Sequence, residues 1–230
     1  MTRPSPPTAP PRAAVFDLDG LLVDSEPLFE ETARRLLARR GRELDLQVLR
    51  AMMGTPARES LLLFRDAHRL TESVSDLIEE SAALFFEVAG EHPVPLMPGA
   101  LRLLDRLRLA GMPCALATSS PREYVERVLG PHGLLDRFRF ALTADDVRQG
   151  KPHPEIYEMA ADLLGLMPTD MVVLEDSING LRSAVAAGAR CVVVPHERVP
   201  REALSGAAMV ACRLDSPEVL RMLLGRDAQP

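Results

Sequence analysis

The chain has 230 residues, of which 47% are hydrophobic and 26% charged, and its formal net charge is −6. This length has room for one large domain or for a domain with a small insert. The acidic balance gives no sign of a nucleic-acid partner, and no apolar stretch approaches the roughly 20 residues of a membrane span. Three distant cysteines and five dispersed histidines form neither a disulfide framework nor a zinc pattern.

The first third of the chain changes from a strand pattern to a purely helical one. Residues 1–12 carry five prolines and are predicted to be a disordered tail. A buried strand is predicted to end at Phe16, and a helix to begin near Pro27. The residues that follow show only helical patterns, which predicts a small all-α unit. We therefore expect a helical cap domain over residues 28–94 and an α/β catalytic core over residues 13–27 and 95–230.

Beyond Gly99, strand and helix patterns alternate to the end of the chain. Such alternation is typical of a parallel sheet with helices on both faces and right-handed crossovers. The sequence therefore predicts an α/β fold with a doubly wound, Rossmann-like core, interrupted after its first strand by the all-α cap. The predicted strands cover residues 114–118, 138–143, 171–174, 191–194 and 208–211, and the predicted helices cover residues 100–110, 122–129, 155–164, 178–187 and 217–224.

Polar residues follow several predicted strands at the points where they end. Asp17 and Asp19 follow the first strand, Thr118-Ser119-Ser120 the second, and Glu175-Asp176-Ser177 a later one, while Lys151 precedes a helix. In a doubly wound sheet these points reach one edge. Carboxylates, a hydroxyl and an ammonium at one edge predict a site for metal-assisted phosphoryl transfer. For each serine alone, a helix cap is the alternative interpretation.

The lysine content also indicates that Lys151 belongs to the predicted site at this sheet edge. Lysine and arginine total 27, and Lys151 is the single lysine. Nearly every position that needs only a positive charge therefore carries arginine. A compact ammonium fits a crowded phosphate site where a planar guanidinium does not, so we predict a specific role for Lys151. A leftover surface lysine is the alternative.

Four motifs occur in chain order: Asp17-Leu18-Asp19-Gly20, Thr118, Gly150-Lys151-Pro152 and Glu175-Asp176-Ser177-Ile178-Asn179-Gly180. Together they resemble the haloacid dehalogenase-like hydrolase superfamily, in the branch that includes β-phosphoglucomutase and small sugar phosphate phosphatases. The resemblance covers residues 13 to about 195. It implies that the all-helical insert between the first and second motifs is the cap of this family.

The resemblance also implies a role for each motif residue. Asp17 would attack phosphorus to form an aspartyl phosphate. Asp19 would protonate the leaving oxygen and later activate water, while its backbone carbonyl binds Mg²⁺. Asp17 and Asp176 would be the side-chain ligands of Mg²⁺, with Glu175 supporting them. The groups that would hold the phosphoryl oxygens are Thr118, the Ser119 amide and Lys151.

The predicted function is a Mg²⁺-dependent phosphatase acting on a small phosphate monoester such as a sugar phosphate. Asp19 argues against the dehalogenases, which lack the second aspartate, and the cap has no lysine for phosphonate cleavage. A β-phosphoglucomutase-type mutase is the alternative, although Phe29 stands where mutases carry a histidine. Arg58, four residues after Gly54, is the candidate substrate contact from the cap; a solvated helix face is its alternative interpretation.

A third hypothesis is a non-catalytic phosphosugar-binding or phospho-acceptor protein. Phospho-acceptor receivers are single small domains without a cap, so the helical insert tells against them. The expected partner is a small phosphorylated metabolite, with no nucleic acid and no membrane. We expect a monomer in the cytoplasm.

Overall fold

The computed structural model describes residues 10–52, 57–91, 93–195 and 199–225. Most of the predicted proline-rich tail and Gly54 lie outside these residues. The chain divides into two compact units, Met1–Asp24 with Leu96–Pro230 and Ser25–Pro95. The second unit contains the residues predicted to form the cap, and the role of a cap stays a prediction.

The first unit contains a parallel β-sheet. Its strands in the described residues are β1 (Ala13–Phe16), β2 (Cys114–Ala117), β3 (Ala141–Leu142), β4 (Met171–Glu175), β5 (Arg190–Val193) and β6 (Met209–Val210). All neighbouring strands are parallel, in the order β3-β2-β1-β4-β5-β6. From β1, the chain therefore adds β2 and β3 on one side. It then crosses back and adds β4, β5 and β6 on the other side of β1. The predicted doubly wound α/β fold is confirmed.

The helices of the described residues agree closely with the sequence prediction. No helix in this part of the chain has both the length and the apolar character of a membrane span. The helices are α1 (Glu26–Ala38), α2 (Leu46–Met52), α3 (Ala57–Ala67), α4 (Val74–Glu91), α5 (Ala100–Leu109), α6 (Arg122–Leu129), α7 (Glu155–Leu164), α8 (Ile178–Ala186) and α9 (Pro217–Leu224).

Both faces of the sheet are buried. On one face, Val15 and Val173 pack in an apolar cluster with Ile156 of α7 and Leu181 of α8. The alternate strand residues point to the opposite face and are buried as well, as at Phe16. Burial on both faces is typical of parallel sheets and explains why the strands read as continuous apolar runs. The polar chemistry is therefore confined to the ends of the strands.

The second unit consists of helices α1 to α4 in its described residues. Leu36 and Leu37 of α1, Phe64 of α3, and Leu77 and Leu84 of α4 share one buried cluster. Ala33 of the same cluster precedes Leu36 and Leu37 by three and four residues, Leu61 precedes Phe64 by three, and Leu77 precedes Leu84 by seven, so each of these three helices presents one apolar face. This unit therefore has its own hydrophobic core.

A tight turn follows β1 and carries the two aspartates of the first motif. The amide of Gly20 donates to the carbonyl of Val23, over a distance of 2.9 Å. Gly20 has a φ of +73°, and a Cβ at this position would lie 2.3 Å from Oδ2 of Asp176. Only glycine satisfies both conditions, so Gly20 lets the turn approach the end of β4.

Candidate active site

The predicted site residues meet at the carboxyl ends of the three central strands. β1 lies between β2 and β4, with Phe16 opposite both Leu116 and Leu174. Asp17 directly follows β1, Thr118 follows β2, and Glu175 ends β4. Because these strands are parallel and adjacent, the three side chains come from neighbouring positions on one edge.

Three carboxylates crowd together at this edge. Oxygens of Asp17, Glu175 and Asp176 all lie within 4.8 Å of one another, and Glu175 is fully buried. Burial raises the pKa of Asp17 to about 7; the charges of Glu175 and Asp19 add to this rise, and the ammonium of Lys151 opposes it. Burial, together with the charges of Asp17 and Glu175, also raises the pKa of Asp176 well above its usual value. The site therefore holds more negative charge than its own residues neutralise.

Lys151 supplies the single ammonium of the site. Its Nζ donates to Asp17 Oδ1 and Glu175 Oε1, each at 2.6 Å, and to the carbonyl of Ala117 at 2.9 Å. These acceptors match the three protons of an ammonium group. Burial alone would lower the pKa of Lys151, but the charges of Asp17 and Glu175 raise it overall. Lys151 is therefore a buried, charged residue, and the alternative of a surface lysine is wrong.

Glu175 is held on both carboxylate oxygens. Oε1 accepts hydrogen bonds from Lys151 and from the Tyr157 hydroxyl, the latter at 2.5 Å. Oε2 accepts from the Ser177 hydroxyl at 3.1 Å and from the amide of Asp176 at 3.2 Å. These contacts fix the orientation of the Glu175 carboxylate, and its support of metal ligands stays a prediction.

Gly180 provides the space for the Glu175 side chain. A Cβ at Gly180 would lie between 1.8 and 2.0 Å from the carboxyl atoms of Glu175. Gly180 also donates its amide to the Ser177 hydroxyl at 3.0 Å, which is the N-cap bond of α8. The cap interpretation of Ser177 is confirmed, and the same hydroxyl also binds Glu175.

Asp19 is also held on both oxygens, by hydroxyl groups that follow β2. Ser120 Oγ donates to Oδ2 at 2.6 Å, and the Tyr124 hydroxyl donates to Oδ1 at 2.9 Å. Ser120 therefore contacts the predicted acid–base residue, and the N-cap residue of α6 is Pro121. The alternative of a helix cap at Ser120 is wrong.

The remaining predicted phosphate-binding groups lie in the same loop. Thr118 is buried, and its Oγ1 accepts the amide of Ser120 at 3.1 Å. Ser119 lies between them and is exposed. Phosphate binding by Thr118 and by the Ser119 amide stays a prediction.

Two residues of this site, Tyr124 and Tyr157, were not predicted from the sequence. They are the two tyrosines of the chain, both are buried, and each donates to a site carboxylate. Each is the third residue of a helix that begins near the carboxyl edge of the sheet, α6 and α7 respectively. The rarity of tyrosine, like that of lysine, is the sequence signal that could have revealed them.

Arg58, the candidate substrate contact, and Phe29, which stands where mutases carry a histidine, belong to the helical unit. Arg58 lies in the first turn of α3 and is exposed. Phe29 on α1 stacks against Phe85 of α4, with ring centroids 4.9 Å apart. A substrate contact by Arg58 stays a prediction.

Comparison with known proteins identifies the family. The family model for haloacid dehalogenase-like hydrolases matches residues 11–188. The chain belongs to this family. Its membership in the haloacid dehalogenase-like hydrolases confirms the resemblance that its four motifs indicate, and it makes the chain an enzyme of the hydrolase class.

Relatives within the haloacid dehalogenase-like family include named phosphatases. The chain is 37% identical to validoxylamine A 7′-phosphate phosphatase of Streptomyces hygroscopicus subsp. limoneus, covering 79% of this chain and 84% of that protein. It is 35% identical to the phosphorylated carbohydrates phosphatase of Thermotoga maritima, covering 92% and 97%. The crystal structure of CbbY from Rhodobacter sphaeroides in complex with phosphate is similar, with a TM-score of 0.76, 28% identity, and coverage of 89% and 95%. These relatives support classification as a phosphoric monoester hydrolase.

Proposed function

We propose that the chain is a Mg²⁺-dependent phosphatase that hydrolyses a small sugar phosphate or similar monoester through an aspartyl phosphate on Asp17. One observation carries the proposal: the clustered carboxylates of Asp17, Glu175 and Asp176 share one strand edge with the single lysine of the chain. A nucleophilic carboxylate, an ammonium and an excess of oxygen ligands are the components that metal-assisted phosphoryl transfer requires.

In the first step, a carboxylate oxygen of Asp17 attacks phosphorus. The new bond joins Asp17 to phosphorus, and the ester bond between phosphorus and the leaving oxygen breaks. Asp19 gives its proton to that oxygen, so the alcohol leaves in neutral form. Lys151 contacts Asp17 Oδ1 at 2.6 Å, which orients the nucleophile and places a positive charge beside the transferring group.

In the second step, water attacks phosphorus in the aspartyl phosphate. Asp19, now ionised, takes a proton from this water, and the bond between Asp17 and phosphorus breaks to release inorganic phosphate. Asp19 is thereby protonated and Asp17 is again a carboxylate. Splitting one slow displacement into two steps is the advantage of covalent catalysis.

The residues present fit Mg²⁺. Asp17, Asp176 and the backbone carbonyl of Asp19 offer oxygen ligands, which Mg²⁺ prefers. Burial, with a smaller contribution from the neighbouring carboxylates, raises the pKa values of Asp17 and Asp176, and a divalent cation would favour their ionised forms. Glu175 is engaged by hydroxyl and ammonium donors and supports the ligands. When bound, Mg²⁺ would stabilise charge on the phosphoryl oxygens.

The direct test is turnover of p-nitrophenyl phosphate. We expect release of p-nitrophenol and inorganic phosphate in the presence of Mg²⁺, loss of this activity in EDTA, and recovery when Mg²⁺ is restored. Undiminished activity in EDTA would exclude the proposed cofactor. Phosphate-ester binding without any release would instead support the hypothesis of a non-catalytic phosphosugar-binding protein.

The names of the relatives support the substrate class. The Streptomyces relative is named for validoxylamine A 7′-phosphate, and the Thermotoga relative for phosphorylated carbohydrates. We therefore propose a small phosphorylated metabolite as the substrate, with Arg58 as the candidate contact from the helical unit. A monomeric, cytoplasmic enzyme is part of the same proposal.

Incubation with β-glucose 1-phosphate distinguishes the phosphatase from the mutase alternative. We expect inorganic phosphate to be released and little glucose 6-phosphate to form, because Phe29 replaces the mutase histidine and residues 28–94 contain no lysine. ³¹P NMR measures both products in one sample. Formation of glucose 6-phosphate as the main product would overturn the phosphatase proposal in favour of a phosphosugar mutase.

The raised pKa of Asp17 predicts that Mg²⁺ binding depends on pH. At pH 6, below the pKa of about 7, a proton on Asp17 competes with the cation; at pH 8 the carboxylate is free to bind. We expect Mg²⁺ to bind about tenfold more weakly at pH 6 than at pH 8. The rise in Tm on Mg²⁺ titration, measured at both pH values, reports the two affinities.

Two variants control this titration. Asp176→Asn should weaken the response to Mg²⁺ at both pH values, because it removes a proposed ligand. Asp162→Asn changes an exposed carboxylate on α7 and should leave the response unchanged. Equal Mg²⁺ midpoints at pH 6 and pH 8 would contradict the expected proton competition.

A further inference from the structure

A buried hydroxyl reaches the acid–base residue from the helix that follows β2. Tyr124 on α6 is 1% exposed, and its hydroxyl donates to Asp19 Oδ1 at 2.9 Å. The opposite oxygen, Oδ2, accepts from Ser120 Oγ at 2.6 Å. The Asp19 carboxylate is therefore fixed at both oxygens, although its own backbone lies in a turn after β1.

The two hydroxyls are not equivalent. Tyr124 is fully enclosed on a helix, with two side-chain torsions fixed by packing, so its hydroxyl is a fixed anchor for Oδ1. Ser120 is only half-buried in the loop, and a serine hydroxyl can rotate from donor to acceptor. When Asp19 carries a proton on Oδ2, Ser120 Oγ can accept a hydrogen bond from that O–H group without changing its position.

We propose that Tyr124 is a positioning residue for Asp19: it holds Oδ1, so that Oδ2, beside Ser120, is the atom that gives and takes the proton. This inference rests on the proposed phosphatase function. In ester cleavage, the proton leaves Oδ2 for the leaving oxygen; in hydrolysis of the aspartyl phosphate, Oδ2 takes the proton of the attacking water. Tyr124 itself exchanges no proton.

If Tyr124 positions Asp19, the effect of removing its hydroxyl on kcat/KM should depend on the leaving group of the substrate. p-Nitrophenolate leaves without protonation, whereas an alkoxide requires a proton from Asp19. The value of kcat/KM reports the step that forms the aspartyl phosphate. It should therefore depend on Tyr124 only for substrates whose leaving group is an alkoxide. Benzyl phosphate and p-nitrophenyl phosphate form a suitable pair, since both carry one aromatic ring and differ in the basicity of the leaving oxygen.

We expect Tyr124→Phe to lower kcat/KM for benzyl phosphate about tenfold and to change it less than about twofold for p-nitrophenyl phosphate. For p-nitrophenyl phosphate, kcat and KM should fall together, because only breakdown of the aspartyl phosphate, in which Asp19 is the base, is slowed. Rapid-mix measurement of the p-nitrophenol burst separates the two steps. A purely structural role for Tyr124 would lower kcat/KM for both substrates by the same factor.

Tyr157→Phe is the matched control. It removes the other buried tyrosine hydroxyl, which donates to Glu175 and not to Asp19. Because Glu175 binds Lys151, this variant should slow both substrates by a similar factor. In an Asp19→Asn background, Tyr124→Phe should cause no further loss for benzyl phosphate, because residues that act as a unit are not additive.

Ser120→Ala provides a second variant should Tyr124→Phe fail to fold, since Ser120 is half-buried in a loop. It removes the other hydroxyl on Asp19 and should also slow benzyl phosphate selectively. Equal losses for both substrates in Tyr124→Phe, no loss at all, or a further loss in the Asp19→Asn background would each overturn the inference. Absence of turnover by the unmodified protein would instead reject the proposed phosphatase function.

Discussion

Replacing Asp17 with asparagine is expected to lower turnover of p-nitrophenyl phosphate at least about 10⁴-fold. The amide has no charge and no lone pair of comparable nucleophilicity, so the aspartyl phosphate cannot form. Asparagine is nearly isosteric with aspartate, and Lys151 keeps its contacts with Glu175 and the carbonyl of Ala117. The fold should therefore persist, which circular dichroism and thermal unfolding can check.

Asp162→Asn is the control for this experiment, because it makes the same chemical change at an exposed position of α7. Its activity should equal that of the unmodified protein. A second measurement follows the intermediate directly: acid-quenched protein incubated with ³²P-labelled substrate should carry label, and the Asp17→Asn protein should carry none. More than about 1% residual activity in Asp17→Asn would assign the nucleophile to another residue.

The strands and helices of the α/β unit were predicted well where periodicity decides the structure. Helices α6, α7 and α9 begin and end where their apolar spacing and flanking residues indicate. The predicted strand over residues 138–143 is shorter in the structure, where β3 covers only Ala141–Leu142. The length of an edge strand depends on the neighbour it can pair with, and this information is not local in the sequence.

The site was predicted to the extent that fold topology determines it. Asp17, Thr118 and Glu175 meet because the carboxyl ends of adjacent parallel strands share an edge, which the alternation of elements already implies. Tyr124 and Tyr157 were missed because a tyrosine on an apolar helix face is normally a core residue. Their hydroxyls contact the site only because α6 and α7 begin at this edge in a particular rotation. Helix rotation is a property of packing, which spacing along the chain does not give.

Lys151 has a buried side chain whose ammonium group is closely surrounded by acceptors. Nζ is surrounded by Asp17, Glu175 and the carbonyl of Ala117, all within 2.9 Å, and lies 5.0 Å from the centre of the Tyr157 ring. An ammonium can direct its three protons at these three acceptors. A guanidinium holds its donors in a plane and needs room at its edges, so it cannot make all three contacts here.

We therefore expect Lys151→Arg to lower kcat roughly 10- to 100-fold, although the charge is retained. The larger head group would displace the Asp17 carboxylate or Glu175, which shifts the nucleophile relative to phosphorus. Steady-state kinetics with p-nitrophenyl phosphate measures the effect. Near-normal kinetics would show that any positive charge suffices at position 151. Lysine would then have no specific role in this arginine-rich chain.

Lys151→Met separates the charge of Lys151 from its shape. Methionine fills a similar volume and removes the ammonium, so Glu175 and Asp17 remain buried without their cation. Breaking a buried ion pair in this way typically costs about 3–5 kcal/mol, and we expect a lower Tm together with a greater loss of turnover than in Lys151→Arg. If Lys151→Met were as active as Lys151→Arg, the positive charge retained in the arginine variant would contribute nothing to phosphoryl transfer. The three short contacts of Nζ predict that turnover decreases from the unmodified protein to Lys151→Arg and decreases further in Lys151→Met.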